Sequence, residues 1–281
     1  MPILDLPDAT VFFDQAGHAG PRVMMVQGAG VVGEGWRGIV NLLAADHQLA
    51  WHDNRGVGKS LPLRGPVSVE AMASDTLAVL DRLGWEDAHL VGHSLGGLVV
   101  QEVARRQPSR ARSLSLISTT GRGRDVMFNM PVSAWGASLR MTFGAERSRW
   151  LALAELSLSP AAIKRLGDDE IIALLKRSFC EGFVSMPAVV RAQTGALWAH
   201  SQPDFAPLQT VPTLILTGSE DRTVHTRLSD DLHAALPQAK LVRMPGEAHA
   251  LILTELETVA SLLAGHFADA EAESLNTPRN P

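Results

Sequence analysis

The 281-residue chain predicts an α/β fold, a mostly parallel sheet covered by helices, and three observations carry that expectation. Short apolar runs alternate with helix-like stretches along most of the sequence. The stretch from Thr120 to about Pro203 breaks this rhythm and reads as helix alone. Between an apolar run at 88–91 and a helix-compatible stretch at 98–106 stands Gly92-His93-Ser94-Leu95-Gly96, which needs a sharp turn from strand to helix.

In chain order, strands are expected at 10–14, 22–27, 47–52, 88–91, 113–118, 213–217 and 240–244, with a helix at about 226–236 between the last two. The helix-like interruption offers segments at 145–158, 160–166 and 168–179. It is rich in Met and aromatic residues, among them Met127, Met130, Trp135, Trp150 and Trp198. It reads as a cap over the carboxyl ends of the strands, where α/β sheets place their ligands. The domain division expected is 1–120 with 204–267 as the core, 121–203 as the cap, and 268–281 as a small, polar, frayed tail. The plainer alternative for the cap aromatics is that they form the cap's own small core.

Composition narrows the function classes. With 46% hydrophobic and 20% charged residues the chain reads as an ordinary soluble globule. A net charge of −5 with scattered basic residues argues against nucleic acid and anionic membrane as partners. No apolar run approaches the ~20 residues of a membrane span, and the first residues lack the pattern of a signal peptide. Cys180 is the only cysteine, so no internal disulfide calls for an oxidising compartment. The expectation is a cytoplasmic monomer or homodimer acting on a small molecule.

The chemistry-bearing residues come in order. Ser94, on its turn with glycines two residues either side, would present its hydroxyl away from the backbone. Asp221 follows the expected strand 213–217 and a Gly218-Ser219-Glu220 turn. His249 follows the strand 240–244 in the loop Pro245-Gly246-Glu247-Ala248. Plainer readings exist for each: Ser94 as a helix N-cap, His249 as a satisfied loop histidine, and Glu220 or Asp204 as the acid in place of Asp221. His93 reads as packing behind the turn.

These motifs, with Gln27-Gly28-Ala29-Gly30 and the run from Asp53 through Arg55 and Gly58 to Ser60, make the chain resemble the α/β-hydrolase superfamily from about Thr10 to Phe267. The likeness is to its serine esterase, lipase and C–C hydrolase branch. The resemblance implies an eight-stranded type of sheet with helices on both faces and a helical cap inserted after the sixth strand. It implies Ser94 as nucleophile, His249 as base and Asp221 as the acid that orients it. The backbone N–H groups of Ala29 and Leu95 would form the oxyanion hole. Gln27 departs from the pattern by standing where relatives usually carry His, and His225 stands where a Pro often follows the acid. Trp135, Trp150 and Trp198, the largest side chains of the cap, are the expected pocket residues.

The function expected is therefore a cofactor-independent serine hydrolase acting on an ester, lactone or thioester of a small to medium, partly apolar molecule. Two alternatives stand beside it: hydrolysis of a C–C bond in a β-diketone or ring-fission product, and a non-enzymatic small-molecule receptor on the same scaffold. Two other motifs compete with this reading. Gly28-Ala29-Gly30-Val31-Val32-Gly33, with Asp53 beyond it, matches a dinucleotide fingerprint but would leave Ser94, Asp221 and His249 unexplained. Gly58-Lys59-Ser60 ends like a phosphate-binding loop, yet Asp53 stands where that loop needs glycine. No cluster of His, Cys, Asp and Glu has metal-ligand spacing, so no metal is expected.

Overall fold

A computed structural model describes residues 2–129, 131–201 and 204–276, without the side chains of Met127 and Asn276. Met130, the cap boundary at 202–203 and the end of the expected tail, 277–281, lie outside the described residues. The strands are β1 (Ile3–Asp5), β2 (Thr10–Ala16), β3 (Arg22–Val26), β4 (Gln48–His52), β5 (Ala88–His93), β6 (Ala111–Ile117), β7 (Thr213–Gly218) and β8 (Lys240–Met244). They form one sheet in the order β1-β2-β4-β3-β5-β6-β7-β8. β1 pairs antiparallel with β2 and β2 with β4, and the remaining pairs are parallel.

Parallel neighbours need crossovers, and helices supply them. The core helices are α1 (Arg37–Leu43), α2 (Val69–Leu83) and α3 (Leu95–Arg106). The cap comprises α4 (Gly123–Phe128), α5 (Trp135–Phe143), α6 (Glu146–Ser157), α7 (Pro160–Leu166), α8 (Asp168–Ser178) and α9 (Ala188–Ala199). The chain closes with α10 (Arg227–Ala235), α11 (Leu251–Thr254) and α12 (Leu256–Asn276).

Alternation along each strand decides which helix it meets, because successive side chains point to opposite faces. Val23 and Met25 of β3, with Leu49 and Trp51 of β4, pack under Ile39 of α1 and Leu263 and Phe267 of α12. Met24, Val26 and Ala50 face the other way, against Met72 and Val79 of α2 and Leu98 and Val99 of α3. Local signals set the ends of α2: the Ser68 hydroxyl accepts the Ala71 N–H at 3.1 Å, and Gly84 stops the helix at φ +67°. The cap has a separate core of Trp150, Leu153, Ile171, Leu175 and Phe183, joined by Val57 and Ala250 from beneath.

Two expectations differ from the structure. The sequence pattern missed β1, a three-residue edge strand too short to show a period, which pairs Ile3 with Phe12. The segment expected to fray from residue 268 is instead helical as far as Asn276. Ala and Glu are strong helix formers. Ala270 is buried, and Glu271 pairs with Arg112 and meets His89 Nε2 at 3.1 Å, so the extra turns are anchored.

The topology also fixes where chemistry can occur. From β3 the chain crosses to β4 on one side and then returns to β5 on the other, so the carboxyl ends of β3 and β5 flank a topological switch point. The loops after β3, β5, β7 and β8 carry Ala29, Ser94, Asp221 and His249, and all open at that end of the sheet.

Candidate active site

Ser94 follows β5 with φ 53° and ψ −120°, a positive-φ conformation that costs a non-glycine residue roughly 1–3 kcal/mol. The surroundings hold it there. Its N–H donates to the Ile117 carbonyl at 2.9 Å, and its own carbonyl accepts from the Thr119 hydroxyl at 2.7 Å and the Gly97 N–H at 2.9 Å. The flanking glycines permit the turn sterically: a methyl at Gly92 would overlap the Gly96 carbonyl, and one at Gly96 would overlap the Val26 carbonyl. The serine side chain is directed into the cleft at the start of α3.

His249 and Asp221 meet directly, with imidazole Nδ1 2.8 Å from carboxylate Oδ2. The other carboxylate oxygen accepts the Thr223 and Val224 N–H groups, each at 2.8 Å, and the Asp221 side chain is fully buried. With Nδ1–H donated to the carboxylate, Nε2 is left as an acceptor. Glu220 is exposed and Asp204 accepts its own loop's Ala206 N–H, so neither alternative acid reaches the imidazole. His93 lies behind His249, rings 4.9 Å apart, and its Nε2–H donates to the His249 carbonyl at 3.0 Å. Burial first, and the adjacent imidazole second, push His93 down to about 3, so it is neutral at ordinary pH.

The loop after β3 lies against the serine, since a methyl on Gly28 would stand 3.1 Å from the Ser94 Cβ. Ala29 follows, facing the cleft, and Leu95 opens α3, where first-turn N–H groups have no acceptor four residues back. Gln27 is fully buried and neither atom of its amide has a partner among the described residues. Asp53 accepts the Gly33 N–H at 2.6 Å and the Lys59 N–H at 2.8 Å, one on each oxygen, so its carboxylate is committed to fixing the loop. Arg55 is held by carboxylate and backbone oxygens, those of Asp75 at 2.7 Å among them.

Sequence reasoning missed how closely the cap is tied to this loop. Gln193, buried on α9, accepts the Gly30 N–H on Oε1 at 2.7 Å and donates from Nε2 to the Arg55 carbonyl at 3.2 Å. The Cys180 N–H donates to the Gly30 carbonyl at 2.8 Å, and the Val32 N–H to the Ser178 carbonyl at 2.9 Å. On the far wall the Ala250 N–H donates to the Ser157 carbonyl at 2.7 Å, tying the histidine loop to α6. No local pattern announces Gln193, which meets Gly30 across 163 residues of sequence.

Ser94, His249, Ala29 and Gln27 all line one cavity of about 260 Å³ roofed by the cap. The three tryptophans expected in its wall divide. Trp198 lines it, with 42% of its surface still exposed. Trp150 is 4% exposed and belongs to the cap's own core, and Trp135 is 67% exposed on the outside of α5; neither is in the cavity wall. Phe179, Phe183, Leu197 and Leu253 are among the apolar residues that line it in their place. Among the described residues no group of His, Cys, Asp and Glu is arranged to hold a metal, and no helix is long and apolar enough to cross a membrane.

Sheet order, strained turn and roofed cleft together define an α/β-hydrolase architecture. Comparison with known proteins agrees: residues 21–149 match the family model described as the alpha/beta hydrolase fold. The chain is 28% identical to "Putative carbamate hydrolase RutD" of Azorhizobium caulinodans over 94% of this chain and 97% of that one. Its fold is similar to that of the enol-lactonase from Burkholderia xenovorans LB400, with a TM-score of 0.79 at 19% identity over 95% of this chain and 100% of that one. A thermophilic esterase from Thermogutta terrifontis gives a TM-score of 0.72 at 21% identity over 93% and 94%. The chain has the α/β-hydrolase fold.

Proposed function

We propose that this protein is a cofactor-independent serine hydrolase that cleaves an ester, lactone or thioester of a small to medium, partly apolar molecule. The observation that carries the reading is the buried Asp221 carboxylate fixing His249 Nδ1 at 2.8 Å while Ser94, on its strained turn, shares the cavity with that imidazole. Ser94 Oγ attacks the carbonyl carbon as His249 Nε2 takes the hydroxyl proton, and the carbonyl π pair moves onto oxygen. The N–H groups of Ala29 and Leu95 stabilise that oxyanion. Collapse breaks the bond to the leaving group, which takes the proton back from His249. Water then attacks the acyl-enzyme with His249 again as base, and the acid product leaves with Ser94 restored. Asp221 stays ionised, keeping the ring in its tautomer and stabilising it while charged. The names of the compared proteins, a carbamate hydrolase, an enol-lactonase and an esterase, support a carbonyl substrate.

The test is p-nitrophenyl ester turnover by Ser94→Ala, His249→Ala and the double variant. Each single change should lower kcat by several orders of magnitude, and the double variant should be little worse, because members of a triad act as a unit. Multiplicative losses would show that the two residues do not share a mechanism.

A further inference from the structure

Of the side chains that line the cavity, Arg222 alone carries a permanent charge among the described residues. The others are apolar, small or neutral polar, or are the two histidines His93 and His249. Arg222 follows the acid Asp221, so the hydrogen bonds from Thr223 and Val224 to the Asp221 carboxylate fix the loop on which it stands. The Thr223 hydroxyl donates to the Leu156 carbonyl at 3.0 Å, which ties the same loop to the cap. Arg222 therefore stands in the wall that also carries His249.

Within this wall the Arg222 side chain has no hydrogen bond or ion pair among the described residues, as is also true of Arg22 at the start of β3, which does not line the cavity. Other buried or half-buried arginines are paired. Arg55 holds Asp75 and Asp8, Arg105 and Arg106 share Glu102, and Arg112 bridges Asp87 and Glu271. A half-buried arginine in a wall that it shares with Leu156, Ile252 and Leu253 loses hydration that a surface arginine keeps, unless something in the cavity supplies an anion. Its planar fork matches two oxygens of a carboxylate. One positive charge balances a monoanion, whereas a dianionic phosphate would bring a second negative charge into a largely apolar wall with no cation to meet it.

We infer that the natural substrate is a carbonyl compound carrying a carboxylate a few bonds from the scissile group, and that Arg222 binds that carboxylate. The inference rests on the serine-hydrolase reading and narrows its substrate class to half-esters, lactone acids and similar monoanions. Arg222 then sets specificity, and the acyl transfer itself remains the work of Ser94 and His249.

The test compares mono-p-nitrophenyl glutarate with p-nitrophenyl hexanoate, neutral and of similar length. In Arg222→Gln the ratio of kcat/KM for the anionic over the neutral ester should fall about ten-fold or more, chiefly through KM of the anionic ester. Arg222→Lys should keep part of that preference, because it retains the charge and loses the fork. A ratio unchanged within two-fold, or an equal loss on both esters, would overturn the inference. Wild-type protein gives an independent reading that needs no variant: pentanoate should inhibit competitively at about ten-fold lower concentration than pentanamide, and equal inhibition would count against Arg222. Failure of the underlying reading looks different, since Ser94→Ala would then hydrolyse both esters as the wild type does.

Discussion

The two walls of the cavity are built by different rules. On the core side, each group is placed by backbone hydrogen bonds and close glycine contacts: Ser94 by Ile117 and Thr119, Asp221 by two N–H groups, and the loop after β3 by Asp53. On the cap side the wall is mostly apolar side chains from several short helices, Phe179, Leu197 and Trp198 among them, whose contacts are non-directional. Directional bonds fix a reacting group to within tenths of an ångström, whereas apolar packing fixes size and shape. Reactivity should therefore follow the core and selectivity for substrate size and shape the cap, with the inferred selectivity for charge falling to Arg222 on the core side. The division is crossed at Gln193, a cap residue whose amide reaches down to Gly30, next to the proposed oxyanion donor Ala29.

The largest effect should come from the core. Asp221→Asn should lower kcat at least ~100-fold, because an amide in that position favours the wrong imidazole tautomer, while the exposed Glu220→Gln should cost less than ~10-fold. Steady-state kinetics of the two variants decides it, and the reverse ranking would move the acid to Glu220.

Gln193 tests whether the division of labour is complete. Gln193→Leu leaves the buried Gly30 N–H without its acceptor and should lower kcat about ten-fold with a smaller change in KM, since the loop shift bears on the transition state. Gln193→Glu keeps the acceptor and should recover most of kcat. If both variants lose thermal stability alike and neither changes kcat, the residue only holds the cap in place.

The smallest effects separate the tryptophans. Trp198→Ala should shift acyl-chain preference by about 1–3 kcal/mol between chain lengths. Trp150→Ala should leave relative preference alone and cost about 3–5 kcal/mol of stability, as truncation of a buried aromatic does. Trp135→Ala, on the outer face of α5, should change neither by more than ~0.5 kcal/mol. A panel of p-nitrophenyl esters beside urea unfolding curves would show whether the three sort in this way.

What could be read from the sequence follows the same boundary. Strands β2 to β8, α3 and the positions of Ser94, Asp221 and His249 are local patterns, period two in the strands and glycines at fixed offsets around the turn, and the structure places all of them at one end of the sheet. The sequence favours Asp221 as the acid with Glu220 and Asp204 beside it, and of the three Asp221 makes the 2.8 Å contact to His249. Within the cap the helices α6, α7 and α8 were legible, but their orientation was not. The apolar residues of α6 do not gather on one face, so nothing in the sequence says that Trp150 turns into the cap's core while Leu153 and Leu156 reach the cavity. No local pattern marks Gln193 or Arg222, since each acquires its meaning only from segments distant in sequence or from the cavity itself. The expected frayed tail, 268–281, rests on small, polar and proline-bearing residues, whereas Ala and Glu in 268–276 continue α12.

The most direct measurement of the central claim is covalent labelling by a fluorophosphonate at neutral pH, with the modified residue mapped by peptide mass spectrometry. A serine activated by a base reacts with such a phosphorus electrophile, and an ordinary turn serine does not. The account predicts stoichiometric modification of Ser94, slowed by orders of magnitude in His249→Ala and abolished in Ser94→Ala. Modification at another residue, or equal labelling of the Ser94→Ala protein, would contradict it.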